Sequence, residues 1–160
     1  MKNIFNGLVF IILLFPSCTS APVGSDLDDS LAYKKIEYIQ NYPTTFNQKE
    51  FDRNMVKWAN QWDEIAKLVE KVSTYGDFVY LEGALIAQIE IQDYLIYHTR
   101  NSNVINSDNQ RQRAINNQLG YRKILIATLD ETREFIDEKD LRKTNWYNDT
   151  FISGYNKYKF

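Results

Sequence analysis

Residues 47–72 read NQKEFDRNMVKWANQWDEIAKLVEKV, and this stretch decides the fold. Asn47 can accept a hydrogen bond from a backbone amide of the first turn, with Glu50 three residues on as its capping-box partner. Phe46 before the cap and Phe51 four residues after it form a hydrophobic staple. Phe51, Met55, Trp58, Trp62, Ile65, Val69 and Val72 then recur at alternating spacings of three and four. That pattern predicts a helix over 48–72 whose seam suits near-parallel packing against other helices. Gly76 is expected to stop this helix and Asp77 to cap the next.

Downstream, residues 78–100 are apolar nearly all round: Leu81, Ala84, Leu85, Ile86, Ala87, Ile89, Ile91, Leu95 and Ile96 cover several faces. Such a helix belongs at the centre of a fold. Glu82, Glu90 and Asp93 within it make a membrane span costly. A polar loop over 101–108 leads to a helix over 109–137, with a stripe of Ile115, Leu119, Ile126, Leu129 and Ile136. Upstream, a helix is predicted over 27–41 and stops before Pro43. The tail, 138–160, carries Trp146, Tyr147, Phe151, Tyr155, Tyr158 and Phe160 and is expected as a short helix or irregular segment packed back on the rest. Long helices and short loops favour antiparallel neighbours. The expected fold is therefore all-α: an up-down antiparallel four-helix bundle with an aromatic C-terminal tail on it.

Two features of composition narrow the function. A formal charge of −2 and a pI near 5.5 argue against a phosphate-backbone binder, so no nucleic-acid partner is expected. A single cysteine excludes an internal disulfide and a multi-cysteine zinc site. No GxSxG, HExxH, P-loop, GxGxxG or CxxCH string occurs, and paired Glu-x-x-His motifs are lacking. No catalytic residue, cofactor or metal site is therefore predicted. The sole histidine, His98, is read as a helix-end residue facing the carbonyl end of the dipole.

The N-terminus has the layout of an export signal. Lys2 precedes an eight-residue apolar run, LVFIILLF over 8–15, which is far short of the roughly 20 residues a membrane span needs. Pro16-Ser17 breaks the run, Cys18 follows, and residues 19–26 are small and polar like a tether. Leu14-Phe15-Pro16-Ser17-Cys18 resembles the lipobox of bacterial lipoproteins. The resemblance covers residues 1–18 alone. It implies cleavage before Cys18, a diacylglycerol on its thiol and a membrane as partner through that lipid. Thr19, rather than Asp, is similar to lipoproteins sent to the outer membrane of diderm bacteria.

Charges on the predicted core faces give a second expectation. Glu82 and Asp93 share a face with Leu85 and Ile89, while Arg111, Arg122 and Arg133 share one with Ile115, Leu119 and Ile126. Neighbours within each set stand eleven residues apart, about three turns or 16 Å. A hairpin in which paired positions add to 204 joins Asp93 to Arg111 and Glu82 to Arg122. These are either ion pairs that fix helix register or the walls of a polar pocket for a small anion or metal. The aromatic tail, with Trp146, Tyr147, Phe151 and Tyr155, is either a cap on the core or a contact surface for a partner or glycan. The acidic run from Asp130 to Asp140 is read as a solvated face or a contact for a divalent cation or basic partner.

Three functional readings follow: a lipid-anchored envelope protein that binds a protein or envelope component, an immunity or inhibitor protein against an envelope-acting toxin or hydrolase, and a carrier of a small ligand or metal inside the bundle.

Overall fold

The computed structural model describes residues 30–34 and 42–160. Cys18, the tether and most of the predicted first helix lie outside the described residues. The fold is all-helical, a bundle with no strand among the described residues. A four-residue helix, α1 (Ser30–Tyr33), precedes α2 (Gln48–Lys71), α3 (Tyr75–Asn101) and α4 (Asp108–Glu138). A 3₁₀ turn (Leu141–Lys143) then leads into α5 (Tyr147–Tyr158).

The start of α2 follows the sequence reading, since the Asn47 side chain accepts from the Glu50 amide at 3.0 Å. The α2–α3 junction does not. Gly76 lies inside the first turn of α3, and the cap is Thr74, three residues earlier than Asp77. Asp77 instead completes a capping box, with Oδ2 taking the Thr74 amide at 2.9 Å. Thr74 offers an Oγ acceptor in extended backbone, so α3 starts there without a glycine turn.

α3 is central. Every residue from Leu81 to Gln92 is buried. On one side α2 runs antiparallel to it, with Phe51 against Tyr94 and the Gln88 amide donating to the Trp58 carbonyl. On another, α4 runs antiparallel, tied by Asp93 to Arg122 and by Glu82 to Arg133. α5 runs in the same direction as α3, because Tyr147 reaches Glu82 and Tyr155 reaches Glu90. From α2 to α5 the directions alternate, so the tail supplies a full member of the bundle.

The core is built around α3 on all three sides. Trp62 and Ile65 from α2, Ile126 and Leu129 from α4 and Tyr158 from α5 converge on Leu81, Leu85 and Ile89. Each such side chain contributes about 1.5–3 kcal/mol by leaving water. The α2 seam is less apolar than its sequence suggested. Met55 is 38% exposed, and the inward positions include Asn54 and Gln61 instead.

At the α3–α5 contact the two backbones touch. A Cβ on Gly83 would stand 2.2 Å from the Phe151 carbonyl oxygen, and one on Gly154 would stand 2.1 Å from that of Tyr80. Neither obstacle is a flexible side chain. We therefore expect Gly83→Ala or Gly154→Ala to destabilise the protein by about 3 kcal/mol through overpacking. Gly76→Ala, whose Cβ meets only Thr74 Oγ1 at 3.8 Å, should leave stability equal or raise it by about 0.5–1 kcal/mol through helix propensity. Urea denaturation of the three variants checks this; equal costs at all three positions contradict the close approach.

Candidate functional site

Three carboxylates sit on α3 inside the bundle, and their partners differ. Glu82 is 1% exposed. Its Oε1 accepts from Arg133 Nε at 2.9 Å and Arg142 Nη2 at 3.1 Å. Oε2 accepts from the Tyr147 hydroxyl at 2.6 Å and Arg142 Nη1 at 3.3 Å. Four donors from α4, the 3₁₀ turn and α5 thus converge on one carboxylate. Arg142 also donates to Asp137 at 2.5 Å. Burial, and then the hydrogen bond to Glu82, push the Tyr147 phenol well above its ordinary pKa, so it stays a donor.

Asp93 takes a bidentate pair from Arg122, Nε at 2.5 Å and Nη2 at 3.2 Å. The third nitrogen of Arg122 reaches the carbonyls of Ala32 at 3.3 Å and Lys34 at 2.7 Å. One guanidinium therefore clamps residues 30–34 onto the α3–α4 hairpin, beside an apolar cluster of Ala32, Ile96, Ile115 and Leu119.

Glu90 is 3% exposed and has a single hydrogen-bond partner among the described residues, the Tyr155 hydroxyl at 2.8 Å on Oε2. Its Oε1 is buried without a partner among them. Burial raises the Glu90 pKa and Asp93 raises it further, against the opposing effects of Tyr155 and Lys159.

This layout corrects the expected pairing. Glu82 meets Arg133 and not Arg122, Asp93 meets Arg122 and not Arg111, and Arg111 bonds Asp108 at 2.9 Å and the Ile105 carbonyl at 2.8 Å. Each acid is paired one eleven-residue step farther along α4 than predicted. The cause is geometric. The two helices are joined by loop 102–107, and helical side chains lean toward their own N-terminus. In an antiparallel hairpin two long side chains then meet only when both lie C-terminal of the level pair, which raises the paired numbers.

The aromatic tail also departs from the reading of it as a partner surface. Tyr147 is buried, and Phe151 and Tyr155 are half-buried and parallel, 6.5 Å apart. All three turn toward α3 or one another, and Trp146 alone of the four is substantially exposed, at 39%. His98 stands in the last turn of α3, as its position in the sequence implied, and it is buried there. Its ring is buried against Phe46, Tyr94 and Tyr97, and Nε2 lies 3.1 Å from the Pro43 carbonyl oxygen. In the acidic run, Asp130, Asp137, Glu138 and Asp140 each pair with a lysine or arginine. Among the described residues no group of three or more His, Cys, Asp or Glu is placed to hold a metal ion.

Sequence reasoning missed two groups. Arg142 and Tyr147 complete the Glu82 site from the tail. A set of buried amides, Asn54 and Gln61 on α2 with Gln88 and Gln92 on α3, lies where α2 closes on α3. Beside them the rings of Trp58, Trp62 and Tyr121 stand within 5.0–5.7 Å of one another. Chemically, Glu82 and Asp93 are closed: donors occupy their oxygens. The amide seam and the free oxygen of Glu90 are the unfilled hydrogen-bonding capacity.

The chain matches no protein family, and no curated protein and no solved structure is significantly similar to it.

Two outcomes are expected. Arg122→Ala should cost about 3–5 kcal/mol, because it leaves Asp93 buried without its cation. In double-mutant cycles Arg122→Ala should couple to Asp93→Asn by about 1–3 kcal/mol and to Glu82→Gln by less than about 0.5. The opposite pattern restores the discarded register. For Glu90, a folded pKa above its ordinary 4.5 means its contribution is full below that value and is lost as pH rises through the folded pKa. Glu90→Gln should therefore stabilise the protein at pH 7, change little at pH 4 and flatten the loss of stability between them. Glu131, also raised by burial and by Glu134, leaves a residual slope. Denaturation at both pH values reads the difference; a variant less stable than wild type at pH 7 contradicts this account.

Proposed function

We propose that the protein is a lipid-anchored component of a bacterial cell envelope, held through Cys18, with the outer membrane as the favoured location. It acts there by binding a protein or another envelope component. The observation that carries this reading is the position of the chain's one cysteine, directly after Ser17 at the end of a short apolar run. Anchoring follows from burial of acyl chains, about 0.8 kcal/mol per CH₂, with two or more chains needed for stable attachment. Two further facts support it. No helix among the described residues is long and apolar enough to cross a membrane, so the lipid is the attachment this reading relies on. Glu82, Asp93 and Asp137 are matched by arginines within the fold, which suits recognition by shape and apolar contact more than by those charges. Trp146 and Ile152, at 39% and 45% exposed at the start and middle of the tail segment, are the side chains we assign to the partner surface.

Expression of wild type and Cys18→Ser in bacterial cells tests the anchor. Wild type is expected to enter the detergent phase with the added mass of a diacylglycerol on its N-terminal cysteine. The variant is expected to stay in the aqueous phase. An unmodified thiol in the mature wild-type protein, or equal partition of the two, overturns the reading.

A further inference from the structure

The three helices around α3 are attached by different chemistry, and the difference has a mechanical consequence. α4 is held by two charge-assisted pairs and α5 by two phenol–carboxylate bonds and a backbone-to-backbone contact at Gly83 and Gly154. Across the α2 seam the hydrogen bond seen among the described residues is Gln88 Nε2 to the Trp58 carbonyl at 3.0 Å, beside ring contacts of Trp58 and Trp62. The other polar ties of α2 to the bundle are at the surface, from Lys57 to the Lys159 carbonyl and from Lys157 to Glu64 at 3.6 Å, both of the latter more than half exposed. Exposed pairs of that kind contribute little.

Meanwhile the seam buries amide groups whose capacity goes unused. Gln92 is fully buried and neither its oxygen nor its nitrogen has a partner among the described residues. The same holds for the oxygens of Gln88 and Gln61 and for the Trp58 indole nitrogen. Phe51 against Tyr94 and Trp58 against Gln88 fix the register, which sets Gln92 level with Asn54. Each buried, unanswered polar atom costs about 1–3 kcal/mol in the closed state, and opening to water recovers it.

We propose that α2 is the releasable element of this fold: it opens from α3 and α4 as a unit, well below the free energy of global unfolding. Phe51, Trp62 and Ile65 keep the closed state favoured, since all three are buried. The hinge is Lys71–Ser73, because Thr74 and Asp77 cap α3 independently of α2. Opening uncovers the indoles of Trp58 and Trp62 together with the amides of Gln88 and Gln92, while the ion pairs of α3 and α4 stay closed. This device does not depend on the lipid anchor.

Native-state hydrogen exchange, read by mass spectrometry on the full chain, tests it. Amides of α2 are expected to exchange at least about tenfold faster than those in the middles of α3 and α4. Gln92→Leu, and separately Gln61→Leu, should slow α2 exchange about tenfold without changing α4, since each removes an unanswered polar atom at nearly constant volume. Exchange of α2 in step with α3, or faster α2 exchange in both variants, overturns the proposal. Failure of both variants to fold overturns it too, because it shows that the amides have partners the fold depends on.

Discussion

A helix buried on every side along its middle imposes a condition on everything around it: each polar side chain it carries there is answered by a neighbour or costs free energy in the closed fold. α3 is such a helix, and it carries Glu82, Gln88, Glu90, Gln92 and Asp93 among its buried or nearly buried positions. The surroundings are organised by how those five are met. Glu82 draws α4, the 3₁₀ turn and α5 to one point, and Asp93 draws α4 and residues 30–34 to another. Burial of a carboxylate is strongly unfavourable unless cations and hydrogen bonds compensate, so these contacts decide geometry as much as they add stability. Apolar packing alone would allow α4 and α5 to slide along α3. The ion pairs and the Gly83–Gly154 approach fix one position.

Much of this was legible in the chain. The cap at Asn47, the inward stripe of α2 and the central place of α3 follow from spacing and composition, because they are local or depend on one helix at a time. The alternation of acids on α3 and arginines on α4 also showed that the two faces would meet. What spacing could not supply was which acid meets which arginine. An eleven-residue repeat on both helices admits registers that differ by a whole repeat. The choice between them rests on side-chain lean and on where loop 102–107 makes its turn, not on residue type.

The tail was underdetermined for a different reason. Tyr147 and Tyr155 stand eight residues apart, and so do Glu82 and Glu90, which is the one sequence signal that α5 would lie along α3. Aromatic residues serve equally well on a surface and in a core, so composition could not choose. Arg142 sits in a three-residue turn with no periodicity of its own, and its role emerges only once α4 and α5 are placed around it. Asn54 and Gln61 were hidden by the stronger signal of the indoles beside them. A heptad reading weights the apolar positions and passes over amides on the same face.

Those amides also bear on where this fold can give way. A guest that reached Glu82 would have to displace four donors from three elements and leave charges buried without partners, at several kcal/mol each. A guest that parts α2 from α3 breaks no buried ion pair among the described residues, only the surface ties of Lys57 and Glu64. Beyond the Gln88–Trp58 hydrogen bond it separates neutral groups, several of which lack partners among the described residues, and water or the guest itself can supply them. The cost of admitting a partner is thus lowest at the neutral seam and highest at the carboxylate cage. The cage ties α3, α4 and α5 to one another, so the proposed opening of α2 leaves those contacts in place. A fold held by charge on one side and by neutral contacts on the other would suit the proposed role of a domain that meets its partner while tied to a surface.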